Sequence, residues 1–274
     1  MSAFPTEGEI AGGSPSAKHH FPNPTIIREE PKNRIPEAEK TRKPLTLRVF
    51  FVIFKGNPQE RRHIMTAETF SLLEAYMHTC MDATAHDVQH VYRVLKNARA
   101  IAADEPDVDT DVLEAAVLLH DIGRPAQLKD PALDHAEVGA ELAYDFLLSH
   151  GFSAEFAGRV GHCIRAHRFR RSCAPETLEA KILFDADKLD VTGAIGVART
   201  LLYQGQTDRP LYAVDREGRL VESDEAPSFF REYHFKLENL YDKFYTKKGA
   251  ALANARRQAA VDFYEALRAE IGMD

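Results

Sequence analysis

Val112-Leu113-Glu114-Ala115-Ala116-Val117-Leu118-Leu119-His120-Asp121 decides how this chain reads. The run is almost wholly apolar and rich in Ala and Leu, the composition of a helix buried on most sides. Asp109 or Thr110 stands where an N-cap belongs, and Gly123 with Pro125 stands where the helix should stop. At its end the run meets an adjacent imidazole and carboxylate. A titratable pair on so apolar a segment is costly to bury unless something binds it. A divalent metal binds it well, because imidazole nitrogen and carboxylate oxygen are both good ligands. Adjacent helical residues point about 100° apart, so one ion between them must sit near the helix end.

Outward from this segment the apolar period stays helical. Phe70, Leu72, Leu73 and Tyr76 predict one amphipathic helix, and His90, Val91, Val94, Leu95 and Ala98 a second. Further helices are expected over 136–150, ended by Gly151, over 156–166, over a segment opened by Pro175 and Glu176 that includes 180–189, and over 194–203. Residues 208–224 are polar and turn-rich, a long loop or small hairpin. Helix returns over 229–271, in two pieces broken near Gly249. No internal repeat is visible. The expected fold is all-α, one helical domain over residues 65–274.

Residues 1–64 read differently. The first 45 or so are rich in Pro, Gly, Glu, Lys and Arg without apolar period, the composition of a disordered or poorly ordered extension. Leu45 to Phe54 is a short β-prone run, and domain-like sequence begins just after Met65, which is also a candidate natural start. These residues carry 11 Lys and Arg against 7 Asp and Glu, so the rest of the chain is more acidic than the overall charge of −7.

That acidity argues against a nucleic-acid partner. Cys80, Cys163 and Cys173 form no C-x-x-C pair, which fits free thiols in a reducing compartment. No apolar stretch is long enough to span a bilayer, and the N-terminus lacks the apolar core of a secretory signal. A cytoplasmic location without membrane contact is expected.

The remaining chemistry lies in the order of the histidines and aspartates. His86 and His90 are four apart and share a helical face, with Arg93 three further on. His135 opens a helix, His162 and His167 stand near the end of another, and Asp185, Asp187 and Asp190 cluster in Leu183-Phe184-Asp185-Ala186-Asp187-Lys188-Leu189-Asp190. His63, His78, His150 and His234 have no such pattern. The paired His19-His20 belongs to the extension.

His90-x-x-Arg93-Val94, Leu118-Leu119-His120-Asp121-Ile122-Gly123 and Asp185-Ala186-Asp187-Lys188-Leu189-Asp190 together resemble the HD superfamily of metal-dependent phosphohydrolases, over roughly residues 83–203. The similarity extends more loosely through the C-terminal helices, as in a small, largely uncharacterised bacterial subgroup. The resemblance implies a divalent-metal site of one or two ions (Mn, Fe, Mg, Co, Ni or Zn). Its ligands would be His90, His120, Asp121 and Asp187, with His135 and His167 added for a second ion and Asp121 as the bridge. It also implies hydrolysis of a small phosphomonoester or phosphodiester, possibly a nucleotide. A bridged metal pair acidifies a water and clamps phosphoryl oxygens. The reaction further needs cations for the phosphate and a proton donor: Lys188 and Arg93 are candidates for the first, His86 or His162 for the second. His162 could instead be a ligand, with His167 touching substrate. Arg168, Arg170 and Arg171 form either a solvated loop or an anion-steering rim. Asp190 is placed to orient a ligand histidine, and Asp185 reads as a helix-surface or supporting group.

Two rival functions share this scaffold: a di-iron oxygenase, and a non-catalytic nucleotide-binding module. The Gly-Tyr-Pro motif of cyclic-di-GMP phosphodiesterases is absent, and no alarmone-synthetase domain fits the length. Neither substrate nor oligomeric state can be read from these residues.

Overall fold

The computed structural model describes residues 65–81, 88–168, 173–221 and 226–272. The expectations for 1–64 and for His86 lie outside these residues. Helices α1 (Ala67–Met81), α2 (Val88–Ala102), α3 (Thr110–Leu119), α4 (Arg124–Lys129), α5 (His135–Ser149), α6 (Ala154–Ala166), α7 (Leu178–Leu189), α8 (Gly193–Gln206) and α10 (Lys247–Ile271) carry the fold. The short α9 (Phe229–Glu232) runs into one π-helical turn, Tyr233–Leu237. The expected hairpin is minimal: β1 (Ala213–Val214) pairs antiparallel with β2 (Leu220–Val221), Ala213 opposite Val221.

Helix starts are written in the sequence as hydroxyl and carboxylate caps. Asp109 accepts from Val112 N–H, Ser153 from Phe156 N–H, Thr177 from Ala180 N–H and Thr246 from Gly249 N–H. Each satisfies a donor that the first turn leaves without an intrahelical partner.

The apolar run is the central helix. Val112, Leu113 and every residue from Ala115 to Leu119 on α3 are buried. α3 packs against α1, α2, α5, α6 and α7 at once. A helix contacted on so many sides has no polar face to keep, which is why its sequence shows no stripe. The main core gathers Leu73, Met77, Val91, Val94, Leu118, Ile164 and Leu183 among others, and a second cluster of Phe229, Phe230, Tyr233, Ala260 and Tyr264 sits between α8, α9 and α10.

Three local expectations are corrected. Pro125 does not simply stop α3; it occupies the first turn of α4, where its missing N–H is harmless. Gly249 does not break the C-terminal helices. The break precedes it, and Gly249 lies in the first turn of α10, where a Cβ would come within 2.6 Å of Asp185 Oδ2 and 2.7 Å of Thr246 Oγ1. Asp185 is not on the surface. It is fully buried and accepts hydrogen bonds from Tyr245 N–H, Thr246 N–H and the Thr246 hydroxyl, joining α7 to the start of α10.

Candidate metal centre

Five elements deliver one set of side chains to the C-terminal end of α3. His90 comes from the first turn of α2, His120 and Asp121 from the turn that ends α3, His135 from the first residue of α5, His167 from the C-cap of α6 and Asp187 from α7. The loop after Asp121 reaches α5 through glycine. A Cβ on Gly123 would meet His135 O at 2.2 Å and Gly139 N at 2.6 Å. Only backbone can pass there, and that close passage brings His135 beside Asp121.

The side chains form two groups whose ligand-type atoms lie within 4.8 Å of one another: His90, His120 and Asp187, and Asp121, His135 and His167. Asp121 joins them. Its Oδ2 is 3.7 Å from His90 Nε2 and 3.6 Å from His120 Nε2. Its Oδ1 is 3.4 Å from His135 Nε2 and 3.8 Å from His167 Nε2. His90 Nε2 is also 3.2 Å from Asp187 Oδ1 and 3.3 Å from His120 Nε2.

The far nitrogen of each histidine has its own oxygen. Nδ1 of His120 donates to Val117 O at 2.8 Å and Nδ1 of His167 to Ile164 O at 2.6 Å. Nδ1 of His135 lies 2.7 Å from Gln127 Oε1, and Nδ1 of His90 donates to Asp190 Oδ2 at 2.7 Å. The backbone carbonyls fix His120 and His167 in the Nδ1–H tautomer and turn their Nε2 lone pairs inward. Nε2 of His135 and of His167 are buried without a hydrogen-bond partner. Buried polar atoms are seldom left so. A cation between them would satisfy both, so the residues fit a divalent ion on their own geometry.

Their surroundings tune the rings differently. Burial is the largest influence on His167 and, with the nearby His120, pulls its pKa down to about 3; burial likewise lowers His135. Both rings therefore stay neutral and able to donate a lone pair. Burial also opposes charge on His90, but hydrogen bonds to Asp187 and Asp190 outweigh it and raise that ring to about 9. Against their own burial, Asp121 and Asp187 are held below the usual carboxylate range, Asp121 by His120 and Arg124 and Asp187 by His90.

The flanking residues are distributed unevenly. Arg168 places Nη1 3.4 Å from Asp134 Oδ1 and 3.0 Å from His135 Nδ1, beside the second group. Lys188 follows Asp187 but holds its ammonium over the Phe184 ring, 4.3 Å from the centroid. Arg93 grips Asp190 with Nε at 2.7 Å and Nη2 at 3.1 Å, behind His90. His162 joins neither group, and its Nε2 is buried without a partner. Arg170 and Arg171 lie outside the described residues. Asp190 does orient a ring of the group, His90, and also accepts from Arg199.

Sequence reasoning passed over three residues. Arg124 donates from Nε to Asp121 Oδ1 at 2.9 Å, and its i+3 spacing on Asp121 was the available signal. Gln127 and Arg199 act through contacts that no local spacing announces.

Comparison with known proteins agrees with this geometry. Residues 87–192 match the HD domain, a span that contains all six converging side chains. The uncharacterised protein YpgQ of Bacillus subtilis is 31% identical over 198 residues, covering 70% of this chain and 88% of the relative. The crystal structure of YpgQ in complex with ADP superposes with a TM-score of 0.59 at 25% identity, covering 74% of this chain and 95% of that one. An HD-superfamily hydrolase from Bacillus thuringiensis gives 0.59 at 27% identity, covering 76% and 98%.

Proposed function

Because this chain belongs to the HD-domain family and has the fold of its hydrolases, we propose that it is a metal-dependent phosphohydrolase acting on a phosphate ester of a nucleotide. The observation that carries this reading is the division of Asp121, one carboxylate oxygen toward His90 and His120 and the other toward His135 and His167. His90, His120, Asp121 and Asp187 would hold one divalent ion, and Asp121, His135 and His167 a second. When bound, such ions supply Lewis acidity, lowering the pKa of a water toward neutrality and neutralising charge on phosphoryl oxygens.

The chain's own groups do the rest. Arg124 and Arg168 border the second group and are the cations best placed for a phosphate; Lys188 borders the first. Nucleotide as substrate class rests on the relative that was crystallised with ADP. Residues 65–274 are taken as the catalytic domain. A cytoplasmic location is supported by the free state of Cys80, Cys163 and Cys173. No helix among the described residues is long and apolar enough to cross a membrane.

The test is metal analysis of freshly purified protein, followed by a nucleotide and phosphate-ester panel run with each divalent metal. Phosphate or pyrophosphate release that depends on metal, and that Asp121→Asn abolishes together with metal content, is expected. Full turnover by Asp121→Asn, or oxygen uptake with iron and no hydrolysis of any ester, would overturn the proposal.

A further inference from the structure

Behind His90, on the side away from the converging Nε2 atoms, α2, α8 and α10 border a half-open cavity of about 480 Å³. Its charge is one-sided. Among the described residues, Arg93, Lys96 and Arg256 line it against one carboxylate, Asp190. That carboxylate is already shared between Arg93 and Arg199. Among the described residues Arg256 donates to neutral acceptors, Leu189 O and Asn97 Oδ1, each at 2.9 Å. Lys96 is exposed and makes no ion pair among the described residues. A cationic surplus gathered in one concavity of a chain with net charge −7 is not a general property of its surface.

Two of these three cations are also held in place. Gly193 adopts φ +59° and lets the backbone of α10 approach so closely that a Cβ would meet Arg256 Cβ at 2.7 Å. The guanidinium of Arg256 is thereby braced between α7 and α2, and Arg93 is locked on Asp190. A guanidinium carries five N–H donors, so one held by two bonds keeps others for phosphate oxygens. Ile195 and Ala259 add an apolar wall to the same lining. The volume falls within the range of small-molecule sites.

We propose that this cavity is a second binding site, distinct from the candidate metal centre, for the phosphate end of a small phosphorylated molecule. Lys96 and Arg256 take the anion, with Arg93 at its edge. Asp190 forms the floor and is the partner of His90 Nδ1, so an occupied site lies one hydrogen bond from the metal-ligating histidines.

The experiment is calorimetric titration of the full chain with pyrophosphate, and separately with ADP, in a chelator that keeps metal away. Saturable binding at one site is expected in the wild type. Lys96→Glu, at an exposed position that leaves the core untouched, should weaken it at least tenfold, and Arg256→Gln should do the same. Asp121→Asn should bind as the wild type does, whether or not the hydrolase reading holds. Equal affinity for the two ligands assigns the site to the anion alone, and tighter ADP binding assigns it to a molecule that also uses the apolar wall. No saturable binding, unchanged affinity in Lys96→Glu, or loss in Asp121→Asn overturns the proposal.

Discussion

Replacing Asp190 by Asn tests whether the histidines are tuned from behind. Asp190 is almost completely buried, and all sides of its carboxylate face donors. Oδ1 receives Arg93 Nε at 2.7 Å; Oδ2 receives His90 Nδ1 at 2.7 Å, Arg93 Nη2 at 3.1 Å and the guanidinium of Arg199. An asparagine amide has the same shape but must turn an NH₂ toward at least one of these donors. It also removes the charge that two guanidiniums share. His90 then loses the acceptor that holds its ring and sharpens its Nε2 as a ligand. Loss of such an outer partner typically lowers metal affinity about 10- to 100-fold, roughly 1.4–2.7 kcal/mol. We expect that drop in Mn²⁺ affinity for Asp190→Asn, measured by competition with a chromophoric chelator. Circular dichroism should show the helical fold retained. Arg199→Gln keeps the carboxylate and should weaken affinity by no more than a fewfold. Metal affinity within twofold of wild type in a folded Asp190→Asn protein refutes the reasoning.

Three further outcomes follow from the same contacts. Asp185→Ala leaves two backbone N–H groups and the Thr246 hydroxyl without their acceptor at the junction of α7 and α10. At about 1–3 kcal/mol for a buried donor so orphaned, urea unfolding should show a loss of about 3–5 kcal/mol once partial rearrangement is allowed, and a loss under 1 kcal/mol would contradict the role. Gly123→Ala must push the α5 start away from Asp121, so it should cost about 1–3 kcal/mol in stability and lower the metal stoichiometry, read by denaturation and by elemental analysis. Burial pushes the Cys163 thiol up to about 12, so native protein at pH 8 should react with a thiol reagent at Cys80 and Cys173 well before Cys163. Because that folded value lies above the ordinary thiol value, its share of stability is intact below about pH 8.5 and is lost as pH rises from there toward 12. Equal labelling of all three cysteines, read by peptide mass mapping, would count against this burial.

The fold and the site were unequally legible, and the difference has a physical cause. Caps, apolar periods and stop residues are local, so α3, α5 and α7 could be bounded to within two or three residues from sequence, with Asp109, Gly151 and the 175–177 stretch as markers. His120-Asp121 was legible for a different reason: a helix as apolar as α3 cannot end on two titratable groups without a partner for them. Gly249 was misread because a glycine marks close backbone approach as readily as a break, and only Asp185 packing beneath it tells the two apart. Asp185 and Asp190 are five residues apart on one segment and equally acidic, yet one anchors α10 and the other holds His90. Nothing in their spacing separates these roles, because each is set by an element that arrives from elsewhere in the chain. The same holds for Arg93: at i+3 from His90 it reads as part of the site, but Asp190 draws it to the rear face. Residues that meet the centre directly thus leave a pattern in the sequence, since the central helix constrains them all. Residues that support the centre answer to tertiary partners and leave almost none.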